Sequence, residues 1–256
     1  MRRIPWPVAR LSELLALNLG ISKTRAVRLI EDGRVGDARG EIYTDRRAEI
    51  EVDGAAGLDV PAAVVMLDGE PLALWQRALV LLHKPVGVVT ALRDPIHPTA
   101  YELLRQAPLF AELRPAGRLD LDTSGLLLWT TEGALIQRLT HPKRRVPRTY
   151  QAALARPFNN HGSAAELVLE DGHRPEVLEL KESSPADVHP GLIIPAGTAT
   201  LATITIVGGA YHEVRRIFAA LDSHVLALCR VQFGSFTLPV DLPAGGWRQL
   251  PFPPGA

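Results

Sequence analysis

The stretch GRLDLDTSGLLLWTT (117–131) sets Asp120 and Asp122 two residues apart at the entry to a leucine-rich run, with Arg118 leading in. A carboxylate at a half-apolar mouth is poorly solvated. It must take up a proton or be held ionised by a cation. Held ionised, it can serve as a nucleophile or a general base. Arginine suits that partnership, being always charged and able to bond a carboxylate through two N–H groups. The chain offers Arg118 beside the pair and Arg215 from a distant helix. The structural alternative is that the aspartates shape a turn with Thr123 and Ser124, Asp120 pairing with Arg118 on the surface. A glycosidase built on two carboxylates would need both at one site.

Other chemistries lack their residues. There is no Gly-x-x-x-x-Gly-Lys loop, no Gly-x-Gly-x-x-Gly after a strand and no Gly-x-Ser-x-Gly elbow. One cysteine, Cys229, rules out an internal disulfide, and no zinc-ligand spacing occurs. The expectation is therefore no metal and no cofactor. The start, MRRIPWPVARLSELL, has no apolar core followed by a cleavage site, and no apolar run reaches membrane-spanning length. A cytoplasmic location without membrane contact is expected. The 28 basic and 28 acidic residues cancel, so any phosphate binding must come from segregated charge. HPKRRVPR (141–148) supplies it, with Lys143, Arg144, Arg145, Arg148 and a histidine, and no acid.

The elements that must position these residues fall into two regions. In residues 1–50, Val8, Leu11, Leu14 and Leu15 share a helical face that ends at Gly20. Ser22 caps a second helix ending at Gly33, which carries Lys23, Arg25 and Arg28. Short strands follow to about residue 53. Residues 54–78, rich in small residues, Pro and Gly, read as the end of this unit and a linker. Beyond them, strands are expected at LVLLH, GVVTAL, GLLLWTT, TYQAALA, ATLATITIVG and VLALCRVQFG, and helices at 99–107, 133–140 and 212–221. The fold class is α+β, with a mixed, largely antiparallel sheet and flanking helices. In the last helix Val214, Ile217, Phe218 and Leu221 form an apolar stripe. Arg215 flanks that stripe and Arg216 lies opposite it.

Five segments in order resemble the bacterial rRNA pseudouridine synthases: LLHKPVGVVTA (81–91), RDPIHPTAYELL (93–104), GRLDLDTSGLLL (117–128), PRTYQAALA (147–155) and the run from VGGAYHEVRRIF to VQFGSFTL (207–238). DPIHPT and YHEVRR are closest to the small-subunit branch. Residues 1–74 resemble the alpha-L, or S-four-type, RNA-binding domain that often precedes the catalytic domain, here 75–256. The resemblance implies site-specific conversion of uridine to pseudouridine in small-subunit (16S) rRNA, without cofactor or metal. Asp120 matches the essential aspartate, by covalent attack or as a base. Tyr150 matches the tyrosine that stacks on the target base, and Arg215 the basic partner of the aspartate. Arg118 matches the arginine that displaces the base from its stack, and Leu228 falls near the apolar floor. Lys143, Arg144, Arg145, Arg148, Arg216, Lys23, Arg25 and Arg28 would hold phosphates.

On this reading Asp120 faces the pocket and Asp122 points away, fixing the turn into Gly125. The expected partner is rRNA, within an assembly intermediate, bound by a monomer, with no DNA. Two alternatives stand beside it: a synthase for large-subunit (23S) rRNA, and a non-catalytic rRNA-binding assembly factor. The chain departs from the pattern at Gly209, Ala210, Glu213 and Cys229, and in a long loop at 183–199. Glu213, two residues from Arg215, would weaken RNA contacts there.

Overall fold

A computed structural model describes residues 8–52, 61–159 and 167–253. The first elements are β1 (Val8–Arg10), α1 (Leu11–Leu19), α2 (Lys23–Glu31), β2 (Val35–Gly36), β3 (Ile42–Tyr43), β4 (Glu49–Glu51), β5 (Ala63–Leu67) and β6 (Glu70–Leu74). Gly20 ends α1 in the left-handed conformation, and the Ser22 hydroxyl accepts from the Arg25 N–H to start α2. Leu11, Leu15, Ala26, Ile30, Val35, Val65 and Leu74 form a core of their own.

The expected linker at 54–78 is corrected within its described part. β5 and β6 form a full antiparallel hairpin that extends the β3–β2 pair to four strands. Its turn is Asp68–Gly69, both at positive φ, the backbone that a two-residue hairpin turn requires.

The remaining elements are β7 (Leu79–Lys84), β8 (Arg114–Pro115), β9 (Thr123–Thr130), α3 (Gly133–Thr140), β10 (Pro147–Leu154), β11 (Glu176–Ser183), β12 (Thr200–Val207), α4 (Glu213–Ala220), β13 (Val225–Phe233), β14 (Phe236–Thr237) and β15 (Trp247–Gln249). They build one sheet in the order β11-β12-β10-β13-β9-β7-β15, with β14 on β13 and β8 on β9. Every pairing printed for it is antiparallel except β9 with β13. Alternation sends Leu127 and Trp129 of β9 to one core and Leu126 and Leu128 to the other. β9 is buried along its whole length, each leucine contributing about 1.5–3 kcal/mol. The segment that feeds it therefore starts from a rigid anchor.

Two further expectations are corrected. Residues 99–107 hold only a single tight turn, Glu102–Leu104. Pro108 disfavours helical backbone at Ala107, and one turn suffices to bury Leu104 and stack Tyr101 on Phe110 with centroids 4.1 Å apart. GVVTAL forms no strand; it contributes one bridge, Val89 to Thr99. The loop after β11 packs on the sheet face away from α4, where Leu192 joins the second core and the Ser124 hydroxyl donates to the Gly191 carbonyl.

Candidate active site

Residues 117–122 lead into β9 as a loop and turn, and each carbonyl from Arg118 to Thr123 meets a donor. The Arg230 guanidinium lies 3.5 Å from the Arg118 carbonyl. The Thr90 hydroxyl donates to the Leu119 carbonyl (2.9 Å) and accepts from the Leu119 N–H (3.1 Å). The Thr123 N–H closes the turn on Asp120, and the Gly87 N–H reaches Leu121. The Arg215 guanidinium approaches the Asp122 carbonyl at 3.3 Å. The Lys84 ammonium donates to Thr123 at 2.8 Å. Gly125 then crosses β13 so closely that a Cβ would lie 2.3 Å from the Arg230 carbonyl oxygen, at a φ of 109°. Only glycine fits such an approach.

The loop places Asp120 in a cleft of about 860 Å³, whose lining includes Arg118, Tyr150, Arg215, Leu228 and Arg230. Tyr150 of β10 and Leu228 of β13 are buried, and β13 pairs directly with both β10 and β9. A flat ring and an apolar side chain thus share the cleft with a half-buried carboxylate. Such a cleft can hold a planar group against Tyr150 while a carboxylate acts on what is attached to it.

Arg215 departs from its expected pairing. Its guanidinium is 2.9 Å from the Asp122 carboxylate, and it also donates to the Val225 carbonyl. The group nearest Asp120 is His212, whose Nε2 is 3.7 Å from Oδ2. The turn closed by Thr123 swings Asp122 towards α4, where Arg215 meets it. The division between the two aspartates does stand: Asp120 lines the cleft, and Asp122 is a 62% exposed side chain that bonds to the helix.

Arg118 is exposed on the cleft wall, with Arg145 and Arg148. Arg145 pairs with Glu176, and half-buried Arg148 donates to the Gly208 carbonyl. Lys143 and Arg144 line a neighbouring groove with His141. Arg216 pairs with Asp171. Lys23, Arg25 and Arg28 lie on α2, and Lys23 is bonded to Glu13. Glu213 is buried and turned inward, bonded to the His173 ring and the Ala210 N–H. It therefore shapes the start of α4 instead of opposing an RNA phosphate. Cys229 is a core residue whose thiol burial pushes up to about 11.

Three cleft or loop residues went unnamed in the sequence reading. Arg230 is two residues from Leu228 on β13, so strand alternation alone puts it on the same face. Lys84 occupies an inward position next to Leu82. Burial pushes it down to about 8, against the attraction of Asp120 and Asp122. His212 adjoins Glu213, but only the turn before α4 brings it to Asp120.

Residues 78–220 match the family model described as RNA pseudouridylate synthase. The chain is 34% identical over 242 residues to "Ribosomal small subunit pseudouridine synthase A" of Escherichia coli (strain K12), covering 94% of this chain and 96% of that protein. A protein of the same name from Pasteurella multocida is 31% identical over 249 residues, covering 94% and 95%. A solved structure titled "Crystal structure of pseudouridylate synthase" superposes with a TM-score of 0.56 at 31% identity, over 94% of this chain and 95% of that one. The chain that carries this carboxylate cleft belongs to the RNA pseudouridylate synthase family.

Proposed function

We propose that the chain isomerises one uridine of small-subunit rRNA to pseudouridine, with Asp120 as the carboxylate that acts on the nucleoside. The bond between C1′ and N1 breaks, the uracil turns, and a C1′–C5 bond forms. C5 loses its proton and N1 gains one, so the balance requires neither cofactor nor metal. The observation that carries this reading is the single cleft in which Asp120 meets Tyr150 and Leu228. There the extruded base would lie on Tyr150 while Asp120 attacks C1′ or removes a ribose proton. Arg118, exposed at the wall, would fill the gap in the RNA stack. Lys143 and Arg144 would grip phosphates, with α2 of the N-terminal unit as a second RNA-binding arm. Full-length similarity to proteins named for the small ribosomal subunit favours that rRNA over the large-subunit one.

The test offers both rRNAs, as transcripts and as assembling particles, labelled with tritium at uridine C5; forming C1′–C5 releases the label. Release from small-subunit rRNA is expected. Asp120→Asn should lower it by roughly 10²–10⁴-fold or more while RNA affinity stays within a few-fold. Retained release would remove Asp120 from the chemistry. Release only from large-subunit rRNA would overturn the substrate.

A further inference from the structure

Two rings at the rim of the cleft have no part in the reading above. Tyr211 is 78% exposed, although most of its side chain is apolar. It stacks on His212 with centroids 3.9 Å apart and planes 14° from parallel. His212 holds a left-handed backbone, φ 49°. That conformation is uncommon for a residue with a Cβ and persists where the surroundings impose it. Here it delivers the imidazole to within 3.7 Å of Asp120. Asp120, His212 and Tyr211 thus form a row from the cleft to solvent, and all three line the same cavity as Tyr150.

A tyrosine covered on one face by an imidazole and open on the other is a stack lacking its last member. Extruding a uridine creates the matching need, because the nucleotide beside it loses a stacking partner. We propose that Tyr211, backed by His212, stacks on the nucleobase adjacent to the extruded uridine. The contact serves binding of the RNA, not the bond changes at C1′. This inference rests on the proposed function, since it needs an RNA uridine in the cleft.

Tritium release and pseudouridine mapping first identify the uridine. Short RNAs then carry 2-aminopurine, whose fluorescence falls on stacking, at the position before or after it. Wild-type protein is expected to quench one of the two positions. Tyr211→Ala should abolish that quench and raise KM at least about five-fold, with kcat within about two-fold, as expected for loss of uniform binding. Tyr211→Phe should restore both, because the ring and not the hydroxyl makes the stack. Equal quenching by wild type and Tyr211→Ala overturns the proposal. So does a Tyr211→Phe variant as impaired as Tyr211→Ala, which would assign the hydroxyl instead. Wild-type protein that releases no tritium from any rRNA overturns the parent reading and the stack together.

Discussion

Lys84 is fully buried at the end of β7, with its ammonium between the carbonyls of Pro85 and Thr123. Burial pushes it down to about 8 from an ordinary 10.5. Below pH 8 it is protonated in folded and unfolded chains alike, and the folded chain bears the full desolvation penalty. Between those two values the unfolded chain binds more protons, so this group makes stability rise with pH. The stability of wild type relative to Lys84→Met should therefore increase from pH 8 to 10.5, as read from melting temperatures; a constant difference would count against this account. The residues that reach across the site were only partly legible. Helix geometry put Arg215 on a flank that can enter a partly buried site. It could not say that the side chain would meet Asp122, because a turn of three residues decides which aspartate faces α4.

At the scale of elements, the junction of β9 with β13 governs the site. It is the one parallel pairing in the large sheet, and Gly125 lies at its crossing. Gly125→Ala should lower the melting temperature strongly, since backbone strain alone costs roughly 1–3 kcal/mol and the methyl would also strike the β13 backbone. Calorimetry that finds wild-type stability would show that the strands can separate at no cost. Most elements were legible where hydrophobic periodicity runs long, as in α4 and β9. The β5–β6 hairpin was missed because composition outweighed the Asp68–Gly69 signal. β11, an edge strand with mixed Glu, Leu and Lys, carried too weak an alternation. GVVTAL has strand-forming residues, yet Thr90 is drawn out to bond with Leu119. A local propensity yields there to the loop that holds Asp120.

For the whole molecule, net neutrality means that RNA affinity must come from where cations remain exposed. Arg145, Arg148 and Arg216 are engaged with Glu176, the Gly208 carbonyl and Asp171, whereas Lys143 and Arg144 are exposed beside the cleft. Lys143→Ala and Arg144→Ala should each weaken binding of different RNAs about equally and reduce the slope of log affinity against log salt by about 1. Filter binding across salt concentrations would reveal an unchanged slope if these side chains touch no phosphate. The α+β class and the largely antiparallel sheet were legible from the chain, as was the grouping of Asp120, Tyr150 and Leu228. The pairing of cations with acids was not, because ion pairs depend on folded proximity and leave no period in the sequence. The donors that hold the loop from Arg118 to Thr123 have a consequence for substrate choice. A loop fastened at every carbonyl has little reorganisation left to perform, so the work of the encounter falls on the RNA. On the proposed reading, selection among uridines then depends on how readily each leaves its own stack: a uridine in a firm helix is refused for its stability, and one in a loosened segment is accepted.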